Sequence, residues 1–464
     1  MKRKLSLIFL LVFLISINGC SRYIPNPIVI KKTNIVKPYN KNIPTSPVNN
    51  ISLLLLKKER ISKGGVIGTD GKGVVALRFD DYQNIFRKKI YPLLLDRGIP
   101  CSMALISQFN TKQSWGIGTT WDEVRNWNRN GVEIWSHGTD HKDYRSKGYK
   151  GLYSEIVTSK LEIEAQNIKV VGWALPGVHT RSKTSPYNGL TKPTDYNGAV
   201  GKLLMETYAL TEAYAYPPVR ILPTKVYHGL NHYTVSDGKG TLATSEAAIN
   251  LAIKNKTGIE LMCHAGSLGK PGHMTLSEFT KLLDYIKTKW DNGSIEVLTP
   301  SGLCFADPNS SKRLKLNTDH SFEGLTVSKP GAWNGSSKWV GKTIETSGGR
   351  TGNSFLRINS SITNSGVTQN IISLDKLRAS GEQFLFEGWI RPNGKDNTTG
   401  IVQIKDSNNY KNLKIIKKVV SIGPSWAKLS FVFCIPPNSK NITLSLYRSA
   451  GTGIDWDDVS IKKI

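Results

Sequence analysis

The sequence predicts a parallel α/β architecture, barrel-like or doubly wound, followed by an all-β antiparallel sandwich. Three observations carry this. Between Gly73 and about residue 300, short apolar runs alternate with helically spaced stretches; several of those runs end in Asp or His; and beyond Phe305 short alternating strands are separated by Gly, Asn and Ser. A chain of 464 residues suits two folded domains, because one core rarely grows beyond about 250–300 residues.

The elements follow in order. Lys2, Arg3 and Lys4 precede the apolar stretch Leu5 to Ile17, and Ile17-Asn18-Gly19-Cys20 comes next. Such a stretch is too short to span a bilayer and reads as a signal segment over 1–19. The Gly19-Cys20 junction resembles a bacterial lipobox, which implies lipidation of Cys20 and an extracytoplasmic cell-envelope lipoprotein held to the membrane by its lipid. Residues 20–65 read as a tether, with Pro25, Pro27, Pro38, Pro44 and Pro47 among Asn, Lys and Ser.

From 66 to 304 the pattern is strand and helix. Val74 to Phe79 reads as a buried strand ending in Asp80-Asp81, and Tyr82 to Arg97 as a helix stopped by Gly98-Ile99-Pro100. Cys101 to Ile106 is a second strand; Trp121 to Asn130 is a helix closed by Gly131; Val132 to Trp135 is a third strand running into Ser136-His137. Lys169 to Ala174 and Gly258 to Cys263 follow as strands, then a helix from Leu276 to Trp290 and a strand from Ser294 to Leu298. A polar linker is expected over 305–316. Beyond it, Ser354 to Ile358, Gln383 to Ile390, Lys428 to Ile435 and Asn441 to Arg448 read as sandwich strands within a domain spanning 317–464.

The formal charge is +27. With lysines spread along the whole chain, this reads as a solvated surface rather than a nucleic-acid footprint, and no nucleic-acid partner is expected. Beyond Cys20, Cys101, Cys263, Cys304 and Cys434 show no CxxC spacing, so buried thiols are expected, with a Cys101–Cys263 bridge as the alternative.

Every candidate metal-binding or acid–base group lies at the end of a predicted strand: Asp80 and Asp81, His137 and His141, and His264. Parallel α/β folds gather the carboxyl ends of their strands at one face, where active sites form. In His137-Gly138-Thr139-Asp140-His141 two imidazoles four positions apart can address one ion, and a carboxylate completes a His/His/Asp set suited to Zn²⁺, and equally to Co²⁺, Ni²⁺ or Fe²⁺.

These residues resemble the polysaccharide deacetylase family, the NodB-homology domain. Arg78-Phe79-Asp80-Asp81 is similar to its first motif, usually Thr-Phe-Asp-Asp; Ser136 to His141 is similar to the second; and Leu261-Met262-Cys263-His264 is similar to the late Leu-x-x-His motif. The resemblance implies a distorted (β/α) barrel with one divalent metal. It further implies Asp81, His137 and His141 as ligands, Asp80 as general base and His264 as general acid. Trp173, Leu175, Pro176 and Gly177 fall at the third motif and would line the substrate site. Two departures are visible. The third motif lacks the Arg that orients the family's catalytic Asp, with Arg181 a candidate substitute, and no fourth motif supporting the acid His appears between Thr180 and Gly258. His179, His228, His232, His273 and His320 read as surface or loop histidines. Trp115, Trp121, Trp127 and Trp135 could stack on sugar rings or pack the core.

Ser321-Phe322-Glu323 and Asp455 to Ser460 resemble the ends of jelly-roll carbohydrate-binding modules. That resemblance implies a structural Ca²⁺ held by Glu323 and Asp458, while Trp333 and Trp339 read either as sugar platforms or as core. The leading functional reading is hydrolytic N-deacetylation of a polysaccharide containing N-acetylglucosamine. The alternatives are O-deacetylation, as of acetylated xylan, and a non-catalytic glycan-binding lipoprotein.

Overall fold

A computed structural model describes residues 66–464 apart from 113–115, 142–147, 178–189, 237–239, 336–338, 360–364, 372–381, 407–410 and the positions 395, 422, 437–438 and 440. The signal segment, Cys20, the tether, Trp115, His179 and Arg181 lie outside the described residues. No helix among the described residues is long and apolar enough to cross a membrane.

The first region is mixed α/β. Its strands are β1 (Ile67–Gly68), β2 (Gly73–Asp80), β3 (Cys101–Leu105), β4 (Val132–Ser136), β5 (Val170–Ala174), β6 (Thr211–Glu212), β7 (Val219–Arg220), β8 (His228–Leu230), β9 (Tyr233–Thr234), β10 (Gly258–His264) and β11 (Ile295–Val297). Ten of them form one curled sheet in the order β7-β10-β2-β3-β4-β5-β6-β8, with β9 on β10 and β11 on β2. The pairs from β10 through β2, β3, β4, β5 and β6 to β8 are parallel. The expected barrel is therefore present as a curled half-barrel whose path ends at β7 and β8, without a closing pair among the described residues.

Helices pack one face of this sheet. Thr120, Thr241 and Thr275 cap the helices Trp121–Arg129, Leu242–Asn255 and Leu276–Asp291, each in a reciprocal capping box that satisfies amide groups the first turn leaves unpaired. The helix Leu242–Asn255 went unread in the sequence. Along β2, Val75, Leu77 and Phe79 point into the helix-side core, while Val74 and Ala76 belong to a second cluster on the opposite, concave face. Successive strand residues face opposite sides, so Arg78 and Asp80 continue that concave face toward the carboxyl end.

The second region is all-β. One five-stranded antiparallel sheet joins β14 (Lys342–Glu345), β15 (Phe355–Ile358), β22 (Ile454–Lys463), β17 (Glu382–Pro392) and β20 (Ala427–Ile435). The other joins β13 (Asn334–Gly335), β16 (Ser365–Asn370), β21 (Ile442–Ala450), β18 (Thr398–Asp406) and β19 (Lys411–Val420). Their inner faces share one core that includes Phe386, Phe433, Val402 and Leu446. Trp333 is fully buried in it beside Phe322, its indole N–H donating to the Asp319 carbonyl at 3.1 Å, which removes it as a sugar platform. Trp339 is half-buried and packs against the same core.

The expected linker is not a free spacer. β12 (Ala306–Asp307) pairs in parallel with β1, and Arg313 reaches both Glu296 and the Lys463 carbonyl. Leu385, Val432 and the terminal Ile464 join Val74, Ala76, Leu298 and Leu303 in one apolar cluster, so the sandwich plugs the amino end of the curled sheet. Leu385 and Val432 are register partners on β17 and β20, pointing away from the sandwich core. The four described cysteines are buried free thiols, so Cys101 and Cys263 are not bridged.

Candidate metal centre and its buried charge network

The carboxyl ends of the strands converge as their pairing requires. Asp80 and His264 are direct register partners on β2 and β10. His137 follows β4, and its amide donates to Leu105 of β3; Ser107 and Gln108 donate to Gly138 and Thr139, zipping the β3 and β4 loops together. Asp81, His137 and His141 thereby come close, with one ligand atom from each within 4.8 Å of the others. The Nε2 atoms of His137 and His141 each stand 3.6 Å from a different Asp81 oxygen. His137 Nδ1 lies 2.9 Å from the Ala174 carbonyl, which fixes Nδ1 as the protonated nitrogen and leaves the Nε2 lone pair facing Asp81.

The loop conformations are costly ones. Asp81 (φ 58°), Tyr82 (φ 47°) and His141 (φ 58°) adopt left-handed backbone that side chains rarely favour. Gly138 (φ 84°) could not carry a side chain, because a Cβ there would collide with Glu155 Oε2. Glu155, fully buried, accepts hydrogen bonds from the amides of Thr139 (3.0 Å) and Asp140 (3.2 Å) and from the Thr139 hydroxyl. It braces the loop that carries both histidines.

The electrostatics fit a cation. Burial, then the neighbouring Asp80 charge, pushes Asp81 up to about 8, and its Oδ1 is a buried oxygen with no hydrogen-bond partner. Burial lowers His137 to about 4 and His141 to about 3, leaving both imidazoles neutral and able to donate a lone pair. A divalent ion among these three groups would satisfy the orphaned oxygen and hold Asp81 ionised.

Asp80 behaves oppositely. Burial opposes its charge, but the neighbouring positive charges, Arg78 first among them, outweigh it and hold the carboxyl below the usual range. Arg78 Nε donates to Asp80 Oδ1 at 2.8 Å and its Nη2 to Oδ2 at 3.1 Å. The same guanidinium donates to Glu260 at 2.9 Å and to His232 Nδ1 at 3.0 Å, and lies 3.3 Å from Glu212. Arg220 closes the ring, bonding Glu212 at 2.5 Å and Glu260 at 2.7 Å. Two guanidinium groups thus meet three carboxylates. Burial, then the neighbouring Glu260 charge, raises Glu212 above the usual carboxylate range.

His264 is half-buried, its amide bonded to the Ser236 hydroxyl at 3.0 Å and its ring edge-on to Tyr82 at 6.5 Å. Other expectations are corrected by burial. Trp173 is fully buried in the helix-side core and cannot touch a substrate; Leu175 and Pro176 are buried, and Gly177 is exposed. Trp127 and Trp135 are core residues. His232 is no surface histidine: it is 9% exposed and held neutral by burial and then by Arg78. Glu323 accepts from the amides of Asn353 and Ser354, while Asp458 pairs with Arg350 at 2.6 Å and Thr351 at 2.5 Å. Both carboxylates clasp the 350–354 loop and form no three-donor group among the described residues.

Arg78, Glu155, Glu212, Arg220, His232 and Glu260 were missed in the sequence. For Arg78 and Glu260 a signal existed, since each is a charge at the middle of an otherwise apolar strand.

No curated protein sequence matches the chain. Among solved structures, it is similar to the CBM22-1–GH10 modules of Clostridium thermocellum xylanase 10B at 20% identity, covering 31% of this chain and 28% of that one, with a TM-score of 0.26. It is also similar to the CBM22-1 xylan-binding domain of Paenibacillus barcinonensis Xyn10C at 15% identity, covering 33% and 97%, with a TM-score of 0.27. A third likeness is to TmCBM61 in complex with β-1,4-galactotriose, at 11% identity over 32% and 99%, with a TM-score of 0.26. The model of the polysaccharide deacetylase family matches residues 67–186. That stretch, which supplies Asp80, Asp81, His137 and His141, is a polysaccharide deacetylase domain.

Proposed function

We propose that the protein is a metal-dependent hydrolase that removes N-acetyl groups from a polysaccharide containing N-acetylglucosamine. The observation that carries this is the buried triad Asp81, His137 and His141, with an orphaned carboxylate oxygen and two neutral imidazoles, beside Asp80 and in reach of the β10 end that bears His264. These three side chains would hold the ion, which when bound polarises a carbonyl and lowers the pKa of water.

The remaining work falls to the chain's own groups. Asp80, kept ionised by Arg78, accepts the proton of the attacking water. His264, on the neighbouring strand, delivers a proton to the departing amine, a leaving group that cannot depart as an anion. The burial of Asp80 and both ligand histidines keeps bulk water from competing for those bonds. We read the curled sheet as the barrel of that family with its edges at β7 and β8, and the sandwich as a module that holds glycan. Export and lipidation at Cys20 belong to the same proposal and rest on residues 1–20 alone.

The test is acetate release by the Zn²⁺- or Co²⁺-loaded protein from N-acetylated chito-oligomers and from acetylated xylan, with new primary amine measured alongside. Equal acetate and amine from the chito-oligomers is the expected result. Acetate from xylan alone would assign an ester bond, and no acetate from either at one metal per chain would leave a binding protein.

A further inference from the structure

We infer that Arg78 is the positioning residue of Asp80, taking over from strand β2 the part that the family's third-motif arginine plays from elsewhere. The inference rests on the reading of Asp80 as general base. Arg78 and Asp80 stand two apart on one strand, so both side chains leave the same face, and the guanidinium grips both carboxylate oxygens at 2.8 and 3.1 Å. A fork on two oxygens fixes the plane of the carboxylate as well as its charge.

The back of the guanidinium is equally fixed. Glu260 lies at 2.9 Å, Glu212 at 3.3 Å and His232 Nδ1 at 3.0 Å, and Arg220 ties both glutamates at 2.5 and 2.7 Å. Every edge of the fork therefore has a partner, and it cannot turn without breaking contacts on the far side. Neutralising a buried acid needs only one cation at one distance. A planar group held on all edges does more, because it sets which lone pair of Asp80 faces the reaction. Among the described residues of the third-motif segment, Trp173 to Gly177, no arginine stands before Pro176, and the Ala174 carbonyl accepts from His137.

Arg78→Lys tests this, because an ammonium keeps the charge but cannot span two oxygens. In the metal-loaded full chain we expect kcat to fall about 100-fold, as misplacement of a reacting group by about 1 Å does, with KM within about twofold and one metal per chain retained. In an Asp80→Asn background the same change is expected to cost less than about threefold, since a residue acting through Asp80 has nothing left to position. A crystal structure of Arg78→Lys should show the Asp80 carboxylate rotated. Should that variant not fold, Arg78→Met/Glu260→Gln removes the fork with its rear partner while keeping the Arg220–Glu212 pair, and the same loss is expected. An unchanged kcat, losses that multiply across Asp80→Asn, or an unmoved Asp80 each overturn the inference. Wild-type protein that releases no acetate at full metal overturns the base assignment along with it, whereas an active wild type with an equally active Arg78→Lys overturns this inference alone.

Discussion

The two ends of the curled sheet are built from opposite chemistry on one continuous face. At the amino end, Val74 and Ala76 meet Leu298, Leu303, Leu385, Val432 and Ile464 in an apolar plug. At the carboxyl end, Arg78 and Asp80 of the same strand meet Glu260, His232 and the candidate metal triad. The helix-side face shows no such division, with Val75, Leu77 and Phe79 all in the core. The difference teaches that the sandwich is structurally continuous with the curled sheet: it packs the amino end and, among the described residues, makes no part of the polar cluster at the carboxyl end. Each end should then fail in its own way.

The largest effects belong at the carboxyl end. Asp80→Asn is expected to keep one metal per chain and lose about 10²–10⁴-fold in kcat, the usual worth of a general base, while His137→Ala loses the metal; metal analysis beside acetate release separates them. At the amino end, Leu385→Ala should lower stability by about 2–5 kcal/mol, the range for a truncated core leucine, and leave kcat of the folded protein unchanged. Denaturant unfolding and kinetics on the same sample check this. A loss of kcat in the folded Leu385→Ala protein would break the comparison.

Glu155 sharpens it within the carboxyl end. Glu155→Gln retains the shape but weakens the acceptor for Thr139 and Asp140, and should weaken metal affinity about 10–100-fold, as loss of a group orienting metal ligands does; competition with a chromophoric chelator measures it. The same site answers to pH. Without metal, Asp81 titrates near 8, so below that pH the ion must displace its proton. His137 and His141 titrate near 4 and 3 and hold no proton to release at neutral pH. Metal affinity should therefore fall about tenfold per pH unit below 8 and level off above it, with about one proton released per ion near pH 6. Calorimetry in buffers of different ionisation enthalpy counts that proton, and a release of two or three would show the imidazoles charged.

The sequence by itself determined the strands β2, β3, β4, β5 and β10 with candidate functional residues at their ends, and the three residues Asp81, His137 and His141 that come together as a candidate metal site. Those features are local: an apolar run, helical spacing, or a motif within six residues is complete in the chain that carries it. Only the tertiary structure decided the rest. Arg78 looks like a departure from a motif until Glu260, 182 residues later, is seen 2.9 Å away. His232 reads as a loop residue until β10 and β2 bury it against Arg78. Trp333 reads as sugar-facing or core with equal ease, because an aromatic side chain serves either role and burial alone chooses, and Trp173, read as lining the substrate site, is buried instead. Charge pairing and burial depend on which surfaces meet in space, and pairwise proximity between distant segments leaves no mark in a single chain.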